Sequence, residues 1–402
     1  MRAEIIAIGD ELLSGFVLNT NMQHIAQGLL KEGCLVVKGV IVRDSVSDII
    51  SALKDAEKRS DIIIATGGLG PTIDDVTREA ACSLFDDTLQ YLPEFEEALI
   101  RRFGPANTTI QNQCHQPSKA TVFANKVGSA PGLVYERSDR LIVFLPGPPT
   151  EMIPLFDEAI IPLIHNRIAE QEKLVVRWLN FCGMRESDID PSLRLFKEKY
   201  PHMEFGIYPA PALITVTLKG VVEADIIEVY QTLKSQFPLQ FLELDKGSLS
   251  KTCKTLLTKH QLKLAVAESL TGGYLGSYLT KTPGASEYFL GSIVAYSNEL
   301  KTKVLSVPEQ LIQEKGSVSE EVAIKMAKGV RDLTGADIGI SLTGIAGPLG
   351  GTTEKPVGTY YACIADGSQD LCWKGEARGS REMVIEWAVH DILSSLCRRL
   401  MT

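Results

Sequence analysis

Short apolar runs alternating with amphipathic stretches at both ends of the chain predict an α/β protein, with a parallel sheet in its first domain. Three observations carry this prediction. The runs at 3–8 (AEIIAI), 61–66 (DIIIAT), 141–145 (LIVFL), 264–268 (LAVAE) and 338–343 (IGISLT) are nearly continuous in apolar character, as in strands buried on both faces. The stretches between them repeat apolar residues at helical spacing. Glycine-rich turns follow the strands at 67–72 and 344–351, where α/β proteins place their ligands.

In chain order, the strand at 3–8 leads to a helix at 20–32 that ends on Gly33, a residue suited to a helix C-cap. Residues 35–42 read as a strand and 46–58 as a helix with Ile49, Ile50, Leu53 and Ala56 on one face. Strands at 61–66 and 141–145 and a helix near 150–168 complete a parallel-sheet α/β domain over 1–169. Residues 170–246 change character. Alternating runs at 174–181 and 213–218 flank a helix at 187–198, which describes a small α+β module. From 247 to 402 the chain returns to α/β alternation, with strands at 264–268, 289–296, 338–343 and 358–365.

A chain of 402 residues suggests two or three domains, at ~100–200 residues each. Its composition, 45% hydrophobic and 23% charged, is that of an ordinary globular protein, and its core needs no disulfide staples. A formal net charge of −9 disfavours nucleic acid and anionic membrane as partners, although a local basic pocket for phosphate remains compatible with it. The eight cysteines include no Cys-x-x-Cys pair, which argues against a zinc ribbon. The first residues lead into a strand rather than a signal peptide, and no run of ~18 apolar residues spans a membrane. A cytoplasmic enzyme is the expectation.

Two loops of the first domain carry candidate chemistry. Asp10 lies in the turn 9–13 after the first strand, and Gly67, Gly68, Gly70, Thr72, Asp74 and Asp75 lie in the loop after the strand at 61–66. Glycines let a backbone approach a phosphate closely and present N–H groups to it. Asp74 and Asp75 at a helix start either complement its dipole or, with Asp10, hold a hard divalent cation beside the phosphate. A pyrophosphate-bearing ligand with a Mg²⁺-like ion fits both loops.

The third region offers a second site. Ser269 sits between a strand and a helix, where it either caps the helix or acts as a nucleophile. Tyr296 ends a strand and Lys301 follows five residues on. A lysine whose pKa is lowered by burial can take the proton of a neighbouring serine, and a tyrosine hydroxyl can assist. Viewed alone, each fits an ordinary partly exposed position. Only six histidines are present, none in these segments, and Gly-x-Ser-x-Gly is absent, so a Ser–Lys arrangement is preferred to a hydrolase elbow. Thr343, Gly344 and Gly347 form either a phosphate-binding loop or an ordered turn. Arg381, before the last helix, either pairs with phosphate or lies on the surface.

On these motifs the chain resembles the CinA family over nearly its whole length. Residues 1–165 are similar to that family's molybdopterin-binding-like domain through 9–13, Asn19-Thr20-Asn21, the 67–72 loop, Asp74-Asp75, and Pro146-Gly147-Pro148-Pro149 with Glu151-Met152. The resemblance implies metal-dependent ADP-ribose pyrophosphatase activity. Asp10, Asp74 and Asp75 would be ligands of Mg, Mn or Co, and Gly67, Gly68, Gly70 and Thr72 would lie against the substrate. Val42-Arg43-Asp44-Ser45 departs from the family pattern, in which Gly and Asn often flank that Asp.

Residues 250–400 resemble the family's carboxyl-terminal domain, which also exists alone as a nicotinamide-nucleotide amidase. Further shared motifs are 283–286, 316–320 and 354–359. The family's serine, tyrosine and lysine fall on Ser269, Tyr296 and Lys301. Glu268, Thr271, Gly272, Gly273, Thr343, Gly344, Gly347 and Arg381 fall on positions expected to contact substrate or oxyanion. Leu270 replaces a more usual Cys, and Leu349 interrupts a Pro-Gly-Gly or Pro-Asp-Gly pattern. The implied function is pyridine-nucleotide recycling. Nicotinamide mononucleotide would be hydrolysed to nicotinic acid mononucleotide and ammonia without a cofactor, and ADP-ribose would be cleaved by the first domain. The implied assembly is a homodimer. Two alternatives stand: a first domain that only binds pterin or nucleotide, and a partner-binding protein of DNA uptake or repair.

Overall fold

The computed structural model describes residues 1–104, 108–168, 174–244 and 248–401. It divides into two compact units, Met1–Val176 and Arg177–Thr402. The expected domain borders at 169/170 and 246/247 lie outside the described residues.

The first unit runs β1 (Arg2–Ile8), α1 (Asp10–Leu13), α2 (Thr20–Lys31), β2 (Leu35–Val42), α3 (Val46–Glu57), β3 (Ile62–Thr66) and α4 (Thr77–Phe85). It continues through β4 (Leu89–Tyr91), α5 (Pro93–Phe103), α6 (Thr108–Gln113), β5 (His115–Pro117), β6 (Thr121–Phe123), β7 (Gly132–Arg137), β8 (Arg140–Leu145), α7 (Pro149–Leu155) and α8 (Ile161–Ile168). Six strands form one sheet in the order β2-β1-β3-β8-β7-β6. β2, β1, β3 and β8 are parallel, β7 pairs antiparallel with β8, and β6 pairs antiparallel with β7. The reversal follows from a two-residue turn: Ser138 and Asp139 both have positive φ and fold β8 back along β7.

The continuous apolar runs are explained by burial of both faces of this sheet. Ala3, Ile5, Ile62 and Ile64 pack with Ile25, Leu29, Phe156 and Ile160. Ile6, Ile8, Ile63 and Ala65 pack with Ile49, Leu53, Ala80 and Ala81. Glu4 is buried within β1 and is answered by Arg59 at 2.7 Å.

The second unit starts within β9 (Val175–Cys182) and continues α9 (Glu186–Lys199), β10 (Glu204–Ala210), β11 (Leu213–Gly220) and α10 (Glu223–Gln236). Next come α11 (Leu249–Lys259), β12 (Leu264–Glu268), α12 (Tyr274–Thr280), β13 (Phe289–Val294), α13 (Asn298–Leu305), α14 (Glu309–Lys315) and α15 (Glu320–Thr334). The last elements are β14 (Ile338–Gly344), β15 (Thr359–Ala365), β16 (Leu371–Glu376) and α16 (Arg381–Met401). A three-stranded sheet orders β10-β11-β9, and a five-stranded sheet orders β13-β12-β14-β15-β16. β12 is parallel to β13 and β14, and the pairs β14–β15 and β15–β16 are antiparallel. β10 and β16 are edge strands with Gly or Pro and mixed exposure, which hides them from an apolar-run criterion.

Leu264 and Val266 face the side of α11 and α16, packing with Leu257, Ile392 and Leu393. Ala265 and Ala267 face the opposite side, with Leu305, Val322 and Met326. A Cβ on Gly329 would lie 2.1 Å from the Leu305 carbonyl oxygen, so α15 meets the end of α13 backbone to backbone. That contact seats the helix carrying Lys301.

Candidate active site

β12 and β13 are adjacent parallel strands, so the turns that leave their carboxyl ends lie side by side. One turn carries Ser269 and the other leads into α13, whose first turn carries Lys301. Ser297 caps α13 by accepting the Leu300 N–H at 3.2 Å. Lys301 Nζ donates to Ser269 Oγ at 3.0 Å and to the carbonyls of Ala295 at 3.0 Å and Tyr296 at 3.4 Å. Lys301 is 1% exposed and Ser269 8%. Burial lowers the Lys301 pKa from 10.5 to about 8, because removing the ammonium from water disfavours the charged form.

Glu268 has a different job from the substrate contact expected of it. It is fully buried, and its carboxylate accepts the N–H groups of Gly273, Leu275 and Gly276 at 2.8–3.0 Å and the Ser292 hydroxyl at 2.6 Å. A negative charge at the start of α12 neutralises its unpaired donors and fixes the Ser269 turn. Two expected oxyanion donors are also engaged: Gly272 N–H bonds the Ser269 carbonyl and Gly273 N–H bonds Glu268. Among the described residues, the N–H groups of Leu270 and Thr271 in this turn remain unpaired, as does the buried Thr271 hydroxyl.

Ser269 and Lys301 open into a cavity of about 440 Å³ whose walls include Tyr296, the 316–318 turn, the 344–350 loop, Lys355 and Arg381. Among the described residues, no carboxylate lines it. Arg381 donates to the Gly347 carbonyl at 2.8 Å and to the Tyr296 hydroxyl at 3.0 Å. Tyr296, 59% exposed, therefore directs its hydroxyl to Arg381, and only its backbone carbonyl meets Lys301. The hydroxyl expected to assist Ser269 is thus bonded to Arg381 instead. Thr343 is likewise corrected as a phosphate donor: it is fully buried and its hydroxyl donates to the Ser317 carbonyl at 2.8 Å. Gly344 and Gly347 do line the cavity. Lys355, outside the expected set, donates to the carbonyls of Lys315 at 3.1 Å and Val318 at 2.7 Å. Its place in the shared 354–359 motif was the one signal for it.

The first-unit loops are more self-contained. A Cβ on Gly67 would lie 2.1 Å from the Ile8 carbonyl oxygen, which ties this position to glycine, and its N–H bonds the Leu145 carbonyl. Asp75 accepts the N–H groups of Gly70 and Thr72, both at 2.8 Å, and the Thr72 hydroxyl. Among Gly67, Gly68, Gly70 and Thr72, only Gly68 keeps an unpaired N–H, so the expected phosphate cradle is largely closed. Buried Arg78 reinforces the loop by donating to the Gly70 carbonyl at 3.1 Å.

The expected metal set is not assembled. Asp75 is the loop's anchor, Asp10 is held by Arg43 at 3.1 Å, and Asp74 is exposed. Among the described residues, no three His, Cys, Asp or Glu side chains converge on a cation position. Asp44, quoted from the sequence only as a departure, accepts the Asp10 N–H at 2.9 Å. Burial, and then the like charges of Glu11, Asp10 and Asp74, push its carboxyl above the usual range. These residues as arranged do not fit the three-aspartate metal centre.

A serine bonded by a buried lysine at the carboxyl ends of parallel strands defines an α/β protein with a Ser–Lys site. The comparisons agree in extent. Residues 246–400 match the family described as the CinA C-terminal domain, and residues 4–166 match the probable molybdopterin binding domain. A protein of Caldicellulosiruptor bescii described as competence-damage inducible is 37% identical over 100% of both chains. A CinA-like protein of Geobacter metallireducens is 34% identical over 100% of both. The crystal structure of a CinA protein from Thermoplasma acidophilum is 32% identical, covering 40% of this chain and 97% of that one with a TM-score of 0.39. The chain belongs to the CinA family. Among the described residues, no helix is long and apolar enough to cross a membrane.

Proposed function

We propose that the second unit is an amidohydrolase that converts nicotinamide mononucleotide to nicotinic acid mononucleotide and ammonia. The observation that carries this reading is the 3.0 Å bond between a buried, pKa-lowered Lys301 and Ser269 at the mouth of a carboxylate-free cavity. At about half deprotonation near pH 8, Lys301 accepts the Ser269 proton as Oγ attacks the carboxamide carbon. The N–H groups of Leu270 and Thr271 are the free donors for the oxyanion. Collapse of the tetrahedral intermediate breaks the C–N bond, and the Lys301 ammonium returns the proton so that the nitrogen leaves as ammonia. Water then attacks the acyl-serine with Lys301 again as base, releasing the carboxylate and restoring the Ser269 hydroxyl. Arg381 and the 344–350 loop supply contacts for the nucleotide's phosphate.

The test is ammonia release from nicotinamide mononucleotide by the full chain and by Ser269→Ala. Turnover should fall by ~10³ or more in the variant, as when an acting nucleophile is removed. Undiminished deamidation would sink the assignment.

For the first unit we propose binding of a pyrophosphate-bearing nucleotide such as ADP-ribose at the loops after β1 and β3, supported by the unpaired Gly68 N–H there. No hydrolytic step is assigned, because the three-aspartate metal centre is not formed. Calorimetry with ADP-ribose, with and without Mg²⁺, tests this, and absence of heat in both would refute it.

A further inference from the structure

We infer that Lys355 is the residue by which the Ser269 cavity recognises an anionic phosphomonoester, and so selects a nucleotide over its nucleoside. This rests on the reading of the cavity as a nucleotide amidase site.

Thr343 is not free for this role. Its hydroxyl, the expected phosphate donor, is already given to the Ser317 carbonyl. Lys355 holds the same turn through the carbonyls of Lys315 and Val318. A primary ammonium has three protons, and these two bonds leave one. Lys355 lines the cavity, so the free proton belongs to a group at its wall.

Charge supports the same assignment. No Asp or Glu lines the cavity, and Lys355 has no carboxylate within ion-pair distance among the described residues. Glu321 acts on it at longer range but pairs directly with Lys315 at 3.0 Å. Lys355, tied down by two carbonyls and short of a counter-ion, and Arg381 together present two cations to the same cavity. That arrangement suits a phosphate dianion. Lys301 is reserved for Ser269, so the cationic wall and the nucleophile are separate parts of one cavity.

The experiment compares nicotinamide mononucleotide with nicotinamide riboside on wild type, Lys355→Met and Lys355→Arg. In Lys355→Met the KM for the mononucleotide should rise by about 10–100-fold, with kcat within about threefold, as for loss of a charge-assisted contact made in ground and transition states alike. kcat/KM for the riboside should not change, and Lys355→Arg should restore most of the mononucleotide KM. An equal loss on both substrates would mean that Lys355 only holds the 315–318 turn, and would overturn the proposal, as would an unchanged KM. If wild type deamidates neither substrate, the amidase reading fails. Calorimetric binding of the mononucleotide then decides on Lys355 separately: weaker binding in Lys355→Met sustains its role, and equal binding, or none in wild type, ends it.

Discussion

Both units place glycine-rich or serine-bearing loops at the carboxyl ends of parallel strands, yet the two sites are built oppositely. In the first, an aspartate of the loop folds back on the loop itself: Asp75 takes the donors of Gly70 and Thr72 that a ligand would need. Asp10, after β1, is exposed and paired with Arg43. In the second, the carboxylate that organises the turn, Glu268, is buried one residue before Ser269 and faces away from it into α12. That leaves Ser269 and Lys301 desolvated and bonded to each other. Position at a strand end therefore nominates a loop. Which polar groups remain uncommitted, and how dry they are, decides whether it is ready for chemistry.

Substitutions can break this contrast. The largest effect should come from Lys301→Met, which removes the proposed base and should lower deamidation by ~10³ or more while raising stability. The sign follows from the lowered pKa. The unfolded chain holds the lysine proton up to 10.5 and the folded chain only to about 8, so stability is reduced below pH 8 and recovers as pH rises between these values. At pH 7 the variant should gain up to about 3 kcal/mol by denaturant titration, and the gain should fade above pH 8. A variant no more stable than wild type would deny that the ammonium is strained by burial.

Glu268→Gln should act in the other direction. An amide has one acceptor oxygen and would set its NH₂ against the donors at the start of α12, costing about 2–4 kcal/mol. Thermal unfolding measures this, and a loss under about 1 kcal/mol would contradict the structural role given to Glu268. The smallest effect belongs to Arg43→Ala. The Arg43–Asp10 pair is more than half exposed on both sides, so its loss should leave the midpoint of denaturant unfolding unchanged within error.

Much of this was legible in the sequence. β1, β2, α3, β3 and β12 follow from apolar periodicity with edges within a residue or two. The approach of Ser269 and Lys301 across 32 residues follows once both are assigned to neighbouring strand ends. Partners set by tertiary packing were not legible. Thr343 meets the carbonyl of Ser317, 26 residues away, and Tyr296 meets Arg381, 85 residues away, and no local pattern encodes either. The Asp75 bonds lie within five residues and match the habit of aspartate to satisfy nearby backbone donors, so that correction was available from the sequence. β10 and β16 escaped because edge strands need only one apolar face.

The neutral form of Lys301 is the working base in this account, and the pH dependence of kcat/KM for nicotinamide mononucleotide tests it most directly. The rate should rise about tenfold per pH unit below a midpoint near pH 8 and level off above it, as the buried amine loses its proton. A profile that is flat or falling between pH 6 and about 9 would contradict the assignment of Lys301 as the group that takes the serine's proton.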